Sequence, residues 1–220
     1  MKSIVYHILA TISFFTRLPL WRLADIPRSY YERVVPLWPL AGWITGGCMA
    51  LVFWGASFIL PTDICIVAAL VARVLLTGAL HEDGFADFCD GFGGGHDRKR
   101  TLEIMKDSHI GTYGVLGLVL YFMLMYSVIG SIPTEVIPLL FLCADPFCKW
   151  ISSNIVRILP YARTESEAKN KLVYSAISSK ESIVSFVIGI IPILLAIATG
   201  IVPLHWIYAI IAPIIVFALT

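Results

Sequence analysis

The sequence carries little charge for its length, with only 14% Asp, Glu, Lys and Arg among 220 residues. That scarcity excludes a solvated disordered chain and a coiled coil, both of which need dense charge. An excess of one sign is missing too, because 16 basic residues stand against 15 acidic ones for a net charge of +1. No bulk basicity points to nucleic acid, which is not expected as a partner. Cysteine is sparse: Cys48, Cys65, Cys89, Cys143 and Cys148 are odd in number and show no CxxC spacing. Such a pattern builds neither a zinc site nor a disulfide scaffold, so the thiols are read as reduced and structural. The first 20 residues lack the small-x-small cleavage site of a secretory signal, and the segment is expected to stay on the mature protein.

What fills the chain instead is apolar. Hydrophobic residues make up 58% and the mean hydropathy is +0.84, which describes a membrane protein. Runs bounded by Pro, Gly or charge predict six transmembrane helices near residues 37–60, 63–80, 110–131, 135–159, 183–200 and 203–220. Residues 4–20 are shorter and interrupted by Arg17, and predict an interfacial or re-entrant segment. The fold class is therefore all-α, a polytopic helical membrane protein in which residues 1–220 form a single integral domain.

The basic residues are distributed one-sidedly. Lys2, Arg17, Arg22, Arg28 and Arg33 precede the first span; Arg98, Lys99, Arg100 and Lys106 lie in the 81–109 loop; Arg163, Lys169, Lys171 and Lys180 lie in the 161–182 loop. The turns near 61–62, 132–134 and 200–202 carry none. Alternating six spans puts all three basic segments on one face, expected to be cytoplasmic. Arg73, Lys149, Arg157 and Asp145 remain inside spans, where a charge costs about 2.5–3.5 kcal/mol on insertion scales. Asp145 and Lys149 stand four apart, the spacing of an ion pair on one helical face; the alternative is a polar cavity open to the cytoplasm.

The chemistry is densest just after the second predicted span, from His81 to Gly95. Asp83, Asp87 and Asp90 stand at i, i+4 and i+7, so a helix continuing out of the membrane places three carboxylates on one face. Like charges so arranged repel unless a divalent cation lies between them, and hard oxygen donors suit Mg²⁺, with Mn²⁺ as the alternative. Glu82 lies off that face and is a weaker candidate ligand. Gly91, Gly93, Gly94 and Gly95 predict a turn whose amides approach an anion, and Arg98, Lys99 and Arg100 follow at once. Acidic helix, glycine turn and basic cluster together describe a site for a metal-bound diphosphate. Downstream, Asp107 is a candidate to complete a metal shell, with Lys106 and Ser108 as candidate phosphate ligands. His81 is the best-placed candidate general base, since an imidazole titrates near neutrality.

These residues resemble a known family. The run Thr77-Gly78-Ala79-Leu80-His81-Glu82-Asp83-Gly84-Phe85-Ala86-Asp87, then Asp90-Gly91 and Leu102-Glu103-Ile104-Met105-Lys106-Asp107-Ser108, is similar to the adenosylcobinamide-GDP ribazoletransferases, also called cobalamin 5′-phosphate synthases. Phe14-Phe15-Thr16-Arg17-Leu18-Pro19 and Pro160-Tyr161-Ala162-Arg163 fit as well. The resemblance implies a multi-pass enzyme of the bacterial inner membrane that joins adenosylcobinamide-GDP to α-ribazole, or its 5′-phosphate, with release of GMP and a need for Mg²⁺. It implies that Asp83, Asp87 and Asp90 hold metal on the diphosphate and that Arg98, Arg100, Lys106, Asp107, Ser108, Gly93 and Gly94 bind substrate. His81 or an aspartate would take the proton. Two departures stand out: Thr164-Glu165-Ser166-Glu167-Ala168-Lys169 replaces a glycine-bearing stretch, and a terminal Gly-Gly-x-Thr-Gly-Asp type motif is absent, so the chain reads as truncated relative to the family. Besides the lipid bilayer and the two substrates, a second copy of the chain is left open as a partner.

Three competing readings are distinguishable. A CDP-alcohol phosphotransferase uses the same type of metal-assisted displacement, but its Asp-Gly-x-x-Ala-Arg pattern fails here because Asp83-Gly84 leads to Ala86-Asp87. A divalent-cation transporter would line a path with acids, yet gains nothing from Arg98 to Arg100. A structural subunit that docks a soluble partner through its loops would show no nucleotide-dependent turnover.

Overall fold

Inside lipid a backbone must satisfy its own hydrogen bonds, which helices do within a single segment. Every regular element among the described residues is helical. The computed structural model describes residues 2–159 and 177–200, with residues 211 and 215. In chain order the helices are α1 (Lys2–Phe15), α2 (Trp38–Ala56), α3 (Thr62–Thr77), α4 (Leu80–Gly94), α5 (Arg98–Ile104), α6 (Thr112–Gly130), α7 (Ile137–Ser153), α8 (Ile155–Ile158) and α9 (Ser179–Ala198). Four segments are long and apolar enough to cross a membrane: Val35–Ala56, Thr112–Gly130, Thr134–Ile158 and Ser179–Ala198. They fall on the spans expected near 37–60, 110–131, 135–159 and 183–200. The span expected at 203–220 and most of the 161–182 loop, with Arg163, Lys169 and Lys171, lie outside the described residues.

The span expected at 63–80 ends early as a helix. Helix α3 stops at Thr77, and α4 restarts at Leu80 at 90° to it, so the two together make either a broken span or a re-entrant loop. The cause is local. Gly78 and Ala79 both adopt left-handed backbone angles, φ 66° and 59°, and the Ala79 amide closes on the Val74 carbonyl at 2.9 Å. A glycine in that conformation is a common helix stop; an alanine there carries a steric cost.

The chain divides into two compact units, Met1–Leu51 with Pro138–Thr220, and Val52–Ile137. In the first, Ala10, Phe15, Val34, Val35 and Ala41 form a core against which Phe14, Tyr30 and Trp38 pack. The Phe15 and Trp38 rings stack at 5.0 Å. The N-terminal segment is thus a 14-residue helix followed by 3₁₀ turns that fold back against it. Gly42 and Gly46 on α2 face Pro146 and Phe141 on α7 so closely that a Cβ would collide with backbone, the close approach that small residues give packed membrane helices. There Lys149 donates to both Asp145 oxygens at 2.8 Å and to Thr45 at 3.3 Å, with the lysine only 6% exposed. The ion-pair reading of Asp145 and Lys149 therefore holds, and the pair stabilises α7 against α2 through Thr45.

In the second unit α4 packs most extensively on α6, and α5 packs on α4. Glycines again set the approach: a Cβ on Gly117 of α6 would stand 2.5 Å from the Cys89 sulfur, and one on Gly91 of α4 would stand 2.5 Å from Met105. The turn expected at Gly91–Gly95 is corrected as well. Gly91 to Gly94 form the last turn of α4, the Gly95 amide donates to the Gly91 carbonyl, and Gly93 lies against the Tyr113 ring. Gly91, Gly93 and Gly95 stand close against Met105, Tyr113 and Thr101, whereas a Cβ on Gly94 would meet only the tip of Ile104.

Candidate functional site

The site is built where α4, α5 and the start of α6 meet. Helix α4 buries Glu82, Ala86 and Asp90, one turn apart in succession, against the rest of its unit. Asp83 is exposed and Asp87 half-buried, so the expected i, i+4, i+7 face exists but is graded from open to enclosed. His81 is half-buried at the beginning of the same helix.

Asp90 reaches across to α6. Its Oδ2 accepts from the Gly111 amide at 2.7 Å and its Oδ1 from the Gly114 amide at 2.8 Å. Helix α6 opens on Gly111, which has no side chain to cap it, so Asp90 supplies from another helix the anionic cap this terminus lacks. Gly114 must remain without a side chain because its Cβ position lies against the Asp90 carboxylate. Glu82 is likewise engaged, in an ion pair with Arg73 of α3. Among the described residues no three His, Cys, Asp or Glu side chains are placed to hold a metal ion. Of the expected ligand set Asp83, Asp87, Asp90 and Glu82, Asp90 is engaged by the Gly111 and Gly114 amides and Glu82 by Arg73.

The basic cluster Arg98-Lys99-Arg100 forms the first turn of α5 rather than a loop. Cations at a helix N-terminus are disfavoured, and Asp97 offsets this by accepting the Arg100 amide at 2.8 Å. Below that turn lies a cavity of about 400 Å³ lined by Asp90, Gly94, Arg100, Glu103, Ile104, Asp107, His109, Ile110, Gly111, Thr112 and Tyr113. Of the residues expected from sequence, the cavity gathers Asp90, Gly94, Arg100 and Asp107. It does not include His81, Glu82, Asp83, Asp87, Gly93, Arg98, Lys106 or Ser108 in its lining. Asp107 accepts from the His109 backbone at 3.0 Å and pairs with His109 Nδ1 at 2.7 Å. The side-chain bond from His109, reinforced by its amide, holds the Asp107 carboxyl below the usual carboxylate range.

Sequence reasoning missed Glu103, His109, Gly111, Thr112 and Tyr113 as cavity residues. One signal was present: Gly111 and Gly114 open an apolar helix without a capping side chain, which asks for a cap from elsewhere. The lining joins three carboxylates, one guanidinium and an imidazole, a mixture suited to an anionic group carried with a cation.

Comparison with known proteins finds relatives of a single name. An adenosylcobinamide-GDP ribazoletransferase of Leptospira interrogans is 37% identical over 166 residues, 74% of this chain and 62% of that one. Enzymes of the same name from Shewanella amazonensis, 36% identical over 74% of this chain and 64% of theirs, and from Clostridium novyi, 36% identical over 84% and 73%, are similar too. The match thus spans less than two thirds of the length of the first two relatives. No solved structure matches the chain. The family model for cobalamin-5-phosphate synthase covers residues 7–220, taking in both the helix α4 carboxylates and the cavity beside them, and the chain belongs to that family.

Proposed function

We propose that this chain carries the transferase chemistry for which its relatives are named: joining adenosylcobinamide-GDP to α-ribazole, or its 5′-phosphate, with release of GMP. One observation supports this most directly. The acidic face of α4 ends at Asp90, which lines a cavity together with Arg100 and Asp107, all within the residues that the family model covers. A ribose hydroxyl of the ribazole other than the 5′ one, and so free in both forms of the substrate, attacks the phosphorus that bears the cobinamide. A new P–O bond forms, the P–O bond to GMP breaks with its electron pair, and the hydroxyl proton passes to a base, for which His81 is the nearest imidazole in sequence to the acidic face.

Mg²⁺ fits the donor set in the mode usual for it, with one or two carboxylates plus substrate phosphate oxygens rather than a complete protein cage. Asp83 and Asp87 would hold it, and the ion would supply charge neutralisation at the diphosphate. Arg100, with Arg98 and Lys106 beside it in sequence, would bind the anionic oxygens, while Asp107 and Ser108 would position them. Asp90 would keep the cavity wall in place through α6. The positive-inside distribution supports placement in the bacterial cytoplasmic membrane with α4 and α5 toward the cytoplasm. The test is substrate omission in nanodiscs. GMP should appear only when adenosylcobinamide-GDP, the ribazole and a divalent cation are all present; GMP release without the ribazole would indicate a hydrolase, and cation flux without GMP a transporter.

A further inference from the structure

Glu82 sits among the aspartates in sequence yet points the other way. Its Oε1 accepts from Arg73 Nη2, and the same nitrogen donates to the Tyr121 hydroxyl at 2.8 Å. Arg73 is one turn before the end of α3, Glu82 is in the first turn of α4, and Tyr121 is on α6. The ion pair therefore spans the break at Gly78 and Ala79. Both side chains are about nine-tenths removed from solvent, at 11% and 6% exposure. The Phe85 ring lies 5.6 Å from the Tyr121 ring and reinforces the same junction.

Two features make this more than a surface pair. Arg73 Nε and Glu82 Oε2 are buried and have no hydrogen-bond partner among the described residues, so the pair is not an optimised stabilising contact. It is kept beside a backbone bend that an alanine adopts at φ 59°, a conformation that persists only where surrounding contacts over-determine it. We infer that Arg73, Glu82 and Tyr121 form a clamp that fixes the 90° angle between α3 and α4, and that Glu82 is a positioning residue and the counter-ion of Arg73 rather than a metal ligand. The clamp ties the start of α4, which carries Asp83 and Asp87, to α3 and to Tyr121 of α6, so the catalytic part of this inference rests on the proposed function.

The experiment uses the full chain in nanodiscs, with Arg73→Met, Glu82→Leu, their double variant, Tyr121→Phe and Ala79→Gly in the Glu82→Leu background. GMP release and reversible unfolding are both read. A mispositioned acidic face should lower kcat about 10- to 100-fold in each charge-removing single variant, with the Mg²⁺ dependence within about twofold of wild type. The double variant, which leaves no unpaired charge, should return to within about threefold of wild type. Ala79→Gly should restore part of what Glu82→Leu loses, because glycine adopts the bend without steric cost. Tyr121→Phe should fall between wild type and Arg73→Met. A double variant as inactive as Glu82→Leu, with a raised Mg²⁺ requirement, would make Glu82 a ligand and overturn the inference. Wild-type rates in every variant would overturn it too. If the wild type itself releases no GMP, the proposed function fails alone: non-additive unfolding energies at 73 and 82, with rescue by Ala79→Gly, still demonstrate the clamp, and additive ones refute it.

Discussion

Replacing Asp90 measures how much of the site is held by one carboxylate. In the wild type, Asp90 satisfies two amides at the start of α6: that of Gly114, at a buried contact, and that of Gly111, at a partly exposed one. Asp90→Ala removes both acceptors. The Gly114 amide is left buried without a partner at about 1–3 kcal/mol, whereas the Gly111 amide regains water and loses only about 0.5–1.5 kcal/mol. Removing the anion from the helix terminus adds roughly 0.3–1 kcal/mol. The sum is about 2–5 kcal/mol, large against the stability of a single domain. Asp90→Asn keeps one acceptor, which serves Gly114, and turns its NH₂ toward Gly111, so the loss should be about 1–2 kcal/mol. Reversible unfolding in mixed micelles ranks the three proteins. Both variants within about 0.5 kcal/mol of wild type would refute the capping role; so would Asn proving as costly as Ala, which would place the whole effect in the charge.

Further outcomes follow from other contacts. Gly117→Leu should destabilise by about 1–3 kcal/mol, since its side chain meets the Cys89 sulfur on α4, and unfolding measurements read this directly. Lys149→Met should cost about 3–5 kcal/mol by leaving Asp145 buried without its cation, with most of that recovered in the Asp145→Leu, Lys149→Met double variant. Arg100→Ala should raise the KM for the diphosphate substrate about 10- to 100-fold with a smaller change in kcat. Asp107 is kept anionic to lower pH by His109, so below the ordinary carboxylate pKa its charge persists only while that bond exists. The acid limb of the pH–rate profile should therefore move upward in His109→Ala, and an unmoved limb would show that ionisation of Asp107 is not required.

Much of the architecture was legible because lipid imposes length and apolarity on a spanning helix: the boundaries near 37, 110, 135 and 183 follow from composition. The pairing of Asp145 with Lys149 was legible from spacing alone. The break between α3 and α4 was not, although Gly78 signalled a stop, because nothing in the sequence marks Ala79 as left-handed. The site divides in the same way. Carboxylates on one face of α4 follow from helical period, but which acids the fold engages depends on partners on other helices: Gly111 and Gly114 at the start of α6 for Asp90, Arg73 of α3 for Glu82. Gly91 and Gly93 read as part of a turn but stand in the last turn of α4, because Met105 and Tyr113 return to pack against them.

The most direct test of the central claim compares single-turnover GMP formation by the wild type and by Asp83→Asn and Asp87→Asn in nanodiscs, with adenosylcobinamide-GDP, α-ribazole and Mg²⁺. Turnover is expected from the wild type, with a loss of at least about 10³-fold in Asp87→Asn and helix content unchanged. Turnover in Asp87→Asn at the wild-type rate, by protein shown to be folded, would contradict it.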